Sequence, residues 1–201
     1  LSDYAEFTVP IYAGEEKSVA ATKSYIGALS ALLQLTNTWS NTLTLPLELI
    51  PDRLNQALDT DWTHVLPIFE SAVTTLIVGR GYQYPIAQEA ALKCKETANL
   101  HAESFSGAEV LHGPFALLQP HYPVLAFLHQ DASSGQMTDL IKQIIETDAE
   151  PVVTAARDLS NIGQLQKQCQ NIVYLPDKIH PLIDPIITIQ SFYVFVEQLA
   201  K

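Results

Sequence analysis

Residues 75–118 read TLIVGRGYQYPIAQEAALKCKETANLHAESFSGAEVLHGPFALL. The apolar run Thr75–Val78 stops at Gly79-Arg80-Gly81, and a helical pattern opened by Pro85 follows at once. A short apolar run, a glycine turn and a helix with proline in its first turn predict a strand–turn–helix unit. The same alternation continues downstream. Further strand-like runs occur at Val124–Leu128, Val152–Ala156 and Ile172–Leu175. Helical runs are expected at 85–100, 136–148, 160–169 and 185–200, the last with Ile186, Ile189, Tyr193, Val196 and Ala200 on one face. Short apolar strands separated by amphipathic helices predict an α/β fold: a doubly wound parallel sheet with helices on both faces. Ligands of such folds sit beyond the carboxyl ends of the strands.

Upstream, Phe7–Tyr12 reads as a strand. Gly14–Lys17 turns the chain into a helix from Ser18, its expected N-cap, to Trp39. Asn41–Leu45 is a polar break. One short helix is expected after Pro51 and another over 63–71, the second shortened by Pro67. Leu1 is not an initiator Met and a strand starts almost at once, so the reading expects further chain ahead of it.

A chain of 201 residues buries enough surface to need neither disulfide nor metal for stability. Cys94 and Cys169 lie in helix-like patterns without C-x-x-C spacing and read as buried thiols. No apolar run approaches a membrane span and no signal-peptide pattern opens the chain, so the expected location is cytoplasmic. The formal charge of −11 argues against a nucleic-acid partner, which needs a basic face. It leaves room for one small anion held by backbone N–H groups.

Four groups carry candidate chemistry. Gly79 and Gly81 permit close backbone approach by a ligand. Tyr84 stands where a dinucleotide fingerprint needs its third glycine, so a sugar or its phosphate fits that turn better than a nucleotide. Glu89, Lys93 and Glu96 share one helix face. They are either a solvated stripe worth a few tenths of a kcal/mol per pair or, on a helix slimmed by Ala87, Ala90, Ala91 and Ala98, an enclosed row holding a tunable proton-transfer base. His112 precedes Gly113-Pro114. It either complements a helix dipole or projects from a chain reversal to move a proton at a sugar ring oxygen. His101, Glu109 and His112 together are a weak metal set, because no second carboxylate–His pair accompanies them. Ser106 has no G-x-S-x-G frame, which leaves a hydrolase triad unsupported.

The words Tyr84-Pro85-Ile86-Ala87-Gln88-Glu89-Ala90-Ala91-Leu92-Lys93, Lys95-Glu96, His101-Ala102-Glu103 and His112-Gly113-Pro114 resemble the second sugar isomerase (SIS) module of the aminosugar-phosphate isomerases and deaminases. Gly14-Glu15-Glu16-Lys17-Ser18-Val19-Ala20-Ala21-Thr22-Lys23 is similar to the segment that ends the first module of that family. The resemblance implies a flavodoxin-like three-layer sandwich. Residues 1–45 would be the last strand and interdomain helix of a preceding module, and 46–201 the second SIS domain.

It also implies roles. Glu96 would shuttle a proton between C1 and C2 of an open-chain sugar. Lys93 would stabilise the enediol-like intermediate or orient Glu96, and Glu89 would orient groups in the site. His112 would open the ring from the neighbouring subunit of a homodimer. Val19 and Ala21 would line the sugar pocket through backbone groups, Ala21 standing where the family usually has Ser. The implied partner is a sugar phosphate, with no cofactor, metal, nucleic acid or membrane. The family's Ser/Thr-rich phosphate loop belongs to the first module, and its C-terminal lysine tail has no counterpart in Lys201. The expected reaction is glucosamine 6-phosphate plus water giving fructose 6-phosphate and ammonia, since the 17–23 wording leans to the deaminase branch. The alternatives are the isomerase part of a glutamine-dependent fructose-6-phosphate aminotransferase and a non-catalytic sugar-phosphate-binding regulator. Glu96 together with His112 favours an enzyme, because a sensor needs neither.

Overall fold

The computed structural model describes residues 2–160 and 162–201. Among them, seven α-helices and five strands follow the order α1 (Lys23–Trp39), α2 (Ile50–Leu58), α3 (Leu66–Glu70), β1 (Thr74–Gly79), α4 (Tyr84–Thr97), β2 (His101–Ser106), β3 (Pro123–Phe127), α5 (Ser134–Ile145), β4 (Glu150–Ala156), α6 (Ile162–Leu165), β5 (Ile172–Leu175) and α7 (Asp184–Leu199). The strands form one sheet in the order β2-β1-β3-β4-β5, every pairing parallel. This is the doubly wound α/β fold expected. The strand order reverses between β1 and β3, so their carboxyl ends flank the switch point of the sheet.

The strands are apolar on both pleats because both faces are covered. Ile77, Leu125, Phe127, Val152 and Val173 face α4 and α7, with α1 and α3 outside them. Leu76, Val78, Val124, Ala126, Val153 and Ala155 face α5 and the 110–118 segment. Helix α7 is apolar nearly all round, as a helix enclosed by α1, α2, α3 and α4 must be. Its Phe195 stacks on Trp62 at 4.7 Å between ring centroids and edge-on to Phe69 at 5.1 Å. The Trp62 indole N–H donates to Ser191 Oγ at 3.0 Å, satisfying the one polar atom of a fully buried ring.

Five expectations change. Phe7–Tyr12 is not a strand: no sheet edge among the described residues reaches it, and Phe7 and Tyr12 stay exposed. Helix α1 starts at Lys23 rather than at Ser18. The Glu16 carboxylate accepts the Thr22 and Ser24 backbone N–H groups at 3.3 and 3.0 Å and the Ser24 hydroxyl at 2.7 Å, so a side chain from outside the helix caps it. His101–Ser106, outside the strand-like runs read from the sequence, is the edge strand β2. Only Ala102 on it is fully buried, which leaves too little apolar pattern to announce a strand. The 160–169 helix shrinks to α6, and Asn161 within it lies outside the described residues. His112 ends a single 3-10 turn, Val110–His112, instead of a helix, and Gly113 is extended at φ 164°.

Candidate active site

Helix α4 packs on β1 and β2 through Ile86, Ala87, Ala90, Ala91 and Cys94. The small alanines let α7 close over its other side, and this decides the fate of the ionic stripe. Lys93 is 3% exposed. Its ammonium lies 2.6 Å from Glu96 Oε2 and 3.4 Å from Glu89 Oε1. The Tyr193 hydroxyl of α7 donates to the same Glu89 oxygen at 2.8 Å. The result is a continuous row: Tyr193 hydroxyl, Glu89 carboxylate, Lys93 ammonium, Glu96 carboxylate. Glu89 is nearly closed off, whereas Glu96 keeps 29% of its side chain accessible. The end of the row that meets solvent is therefore a carboxylate backed by a buried cation.

Two tyrosines answer to this charge. Burial, with the Glu89 charge second, pushes the Tyr25 phenol of α1 up to about 12. Burial pushes Tyr193 higher still, reinforced by the charge of Glu89 and its hydrogen bond, then by Tyr25 and Glu16. Both phenols keep their protons across any working pH, and Tyr193 is a permanent donor to Glu89. Neither tyrosine belongs to a catalytic word in the sequence. Tyr193 nevertheless sits on the apolar stripe of the last helix, where a phenol must find a partner for its hydroxyl. That was the available signal.

The other candidates lie elsewhere. Gly79-Arg80-Gly81 follows β1 at the carboxyl edge of the sheet, whereas Glu96 is in the last turn of α4 at the amino edge. A 14-residue helix spans about 20 Å, so Gly79 and Gly81 do not share a pocket with Glu96 within one chain. Gly79 is required locally: a Cβ there would meet the Gln83 carbonyl at 2.3 Å. Gly81 holds φ +57°, and a Cβ on it would approach Asp131 Oδ2 at 2.9 Å. A carboxylate facing this turn disfavours a phosphate in it. His112, exposed in the turn beyond β2, lies at the same carboxyl edge, a strand length away from Glu96. His101 opens β2 while Glu109 and His112 follow its end, so the three do not converge. Among the described residues no group of His, Cys, Asp and Glu is gathered to hold a metal.

The segment carrying Val19 and Ala21 is tied to the start of α1 through Glu16. Val19 points its side chain into solvent, Ala20 is buried and Ala21 is half-buried. Both cysteines are buried free thiols. Among the described residues no helix is long and apolar enough to cross a membrane.

Residues 68–201 match the SIS domain. A glutamine–fructose-6-phosphate aminotransferase of Thermus thermophilus is 27% identical over 214 aligned residues, 100% of this chain and 35% of the relative. That of Zymomonas mobilis is 32% identical over 91% of this chain and 32% of its own length. The chain thus spans about a third of the length of these curated relatives. Among solved structures, a protein of Silicibacter pomeroyi provisionally assigned as a phosphosugar isomerase is 34% identical, with TM-score 0.83 over 99% of this chain and 59% of that one. The glucosamine-6-phosphate deaminase of Thermotoga maritima, at 18% identity and TM-score 0.68 over 92% of this chain and 53% of its own, shares the fold. With this match over the sheet and its helices, and with the row on α4 in the place of the ordered words quoted above, the chain belongs to the SIS domain family.

Proposed function

We propose that this chain supplies the acid–base half of a phosphosugar aldose–ketose isomerase, of the kind that forms the isomerase part of glutamine–fructose-6-phosphate aminotransferases. The observation that carries the reading is the partly exposed Glu96 carboxylate held 2.6 Å from a buried Lys93. Glu96 lifts the proton from the carbon beside the sugar carbonyl. The electron pair moves onto the carbonyl oxygen to give an enediolate, the proton of the neighbouring hydroxyl passes to that oxygen, and the protonated Glu96 returns its proton to the former carbonyl carbon. Lys93 holds the Glu96 carboxylate in place and sets positive charge beside the developing enediolate. Glu89 and Tyr193 hold Lys93 in that position. His112, a strand length away in its own chain, opens the ring at the Glu96 of a partner subunit in a homodimer. Val19 and Ala21 offer backbone groups to the sugar.

The relatives favour the aminotransferase-type reading over hydrolytic deamination of glucosamine 6-phosphate. Both use the same base, and the difference lies in whether nitrogen leaves as ammonia or arrives from glutamine. The test is turnover by the full-length protein of fructose 6-phosphate with glutamine and, separately, of glucosamine 6-phosphate in water. Glu96→Gln is expected to lose about 10²–10⁴-fold in turnover in whichever reaction runs. A fully active Glu96→Gln rules the base out. Sugar-phosphate binding without turnover of either substrate points to a sensor. Ammonia release from glucosamine 6-phosphate, with no use of glutamine, restores the deaminase reading.

A further inference from the structure

We propose that Tyr193 is a positioning residue for Glu96, acting through Glu89 and Lys93. The inference deepens the reading of Glu96 as the base and adds a residue from a different helix. Its ground is the hydrogen-bond geometry. Glu89 Oε1 accepts from Tyr193 at 2.8 Å and stands 3.4 Å from the Lys93 ammonium, while Lys93 is 2.6 Å from Glu96. The ammonium therefore sits closer to Glu96 than to the more deeply buried Glu89. Coulomb attraction alone would favour the opposite, since the pair further from water feels the lower dielectric. Tyr193 accounts for the asymmetry by supplying Glu89 with a neutral donor, so that Glu89 does not depend on Lys93 for all its stabilisation.

The groups facing the row are few. From α7 comes Tyr193, and from α1 comes Tyr25, close enough to feel the Glu89 charge. Glu16, ahead of α1, is felt at Tyr193. Strand β2 turns Ala102 toward α4, and its His101 and Glu103 lie on the opposite pleat. β1 presents Ile77. Tyr193 is the group among these that donates a hydrogen bond into the row from another helix.

Tyr193→Phe keeps the ring in its packed position and removes only the donor. Glu89, buried and short of a donor, then draws Lys93 away from Glu96. A weaker cation beside Glu96 favours its protonated form, so its titration midpoint rises. Glu89→Gln acts in the reverse sense: the competing charge disappears, Lys93 serves Glu96 alone, and the midpoint falls. Because Tyr193 acts through the Glu89 charge, adding Tyr193→Phe to Glu89→Gln moves Glu96 no further.

The experiment is a carbon-13 NMR titration of the glutamate side-chain carboxyls in the full chain, with Glu96 assigned by its loss in Glu96→Gln. The four proteins are wild type, Y193F, E89Q and E89Q/Y193F. The expected result is an upward move of about half a pH unit in Y193F, a downward move in E89Q, and coincidence of E89Q with the double variant. An unmoved Glu96 in Y193F overturns the proposal, as does the same shift from Tyr193→Phe in both backgrounds, which a purely structural effect would give. The titration needs no turnover. Activity of Glu96→Gln judges the base assignment separately, so the two ideas fail on different measurements.

Discussion

Lys93→Met asks whether the α4 row is an enclosed charge system or a solvated stripe, the two options left open by residue spacing. The side chain is 4% exposed, and its ammonium has carboxylate oxygens at 2.6 and 3.4 Å. Methionine matches its length and apolar stem, so packing is kept while the cation goes. If the row were solvated, each pair would be worth about 0.3–0.5 kcal/mol and the variant would lose less than about 1 kcal/mol. In the structure Glu89 keeps only 10% of its side chain accessible and would be left with the Tyr193 hydroxyl alone. Removing one partner of a buried pair costs about 3–5 kcal/mol because the other charge stays behind. Glu96 adds little to that sum, since water reaches it. For a domain of this size the loss corresponds to a fall in Tm of about 10 °C.

The pH dependence gives a second check. In the variant the stranded Glu89 has a proton affinity raised above its unfolded value. The penalty is complete above that raised midpoint and fades as pH falls toward the ordinary carboxylate range near 4. Urea unfolding of wild type and Lys93→Met at pH 7.5 and pH 5 reads both effects, and the deficit should be several kcal/mol at the higher pH and smaller at the lower. A deficit under about 1 kcal/mol that is the same at both pH values would refute the enclosed row, and with it the electrostatic support claimed for Glu96.

Two further outcomes follow from other parts of the molecule. The Ser24 hydroxyl, then its backbone N–H, hold the Glu16 carboxyl below its ordinary range. A depressed carboxylate contributes stability above its unfolded value and loses it as pH falls through the folded one. The protection factors of the amides in the first turn of α1, taken against the intrinsic exchange rate at each pH, should therefore be high and steady at neutral pH, fall only in acid, and be low at every pH in Glu16→Ala. Burial pushes the Cys94 thiol up to about 12 and also raises Cys169. Neither should react with a thiol reagent in the native protein at pH 8, and both should react after denaturation. Rapid native labelling of either would show that the segment carrying it opens.

The sequence by itself determined the architecture, because that information is local and repeated. Four of the five strands are apolar on both pleats and end at turns. The helices between them carry one apolar face, and a parallel sheet covered on both sides is the one arrangement that buries all of it. The ionic row on α4 was half legible. Helical spacing put Glu89, Lys93 and Glu96 on one face, but spacing says nothing of what lies over that face. Only the tertiary structure decided that α7 covers it, through small alanines on one helix and Tyr193 on the other, two elements about 100 residues apart in the chain. The same long-range packing turned His101–Ser106 into an edge strand whose few apolar residues could not announce it. It let Glu16, outside the helix, set where α1 begins. And it placed His112 and the Gly79–Gly81 turn at the opposite edge of the sheet from Glu96, because a crossover helix must run back along the strand it follows.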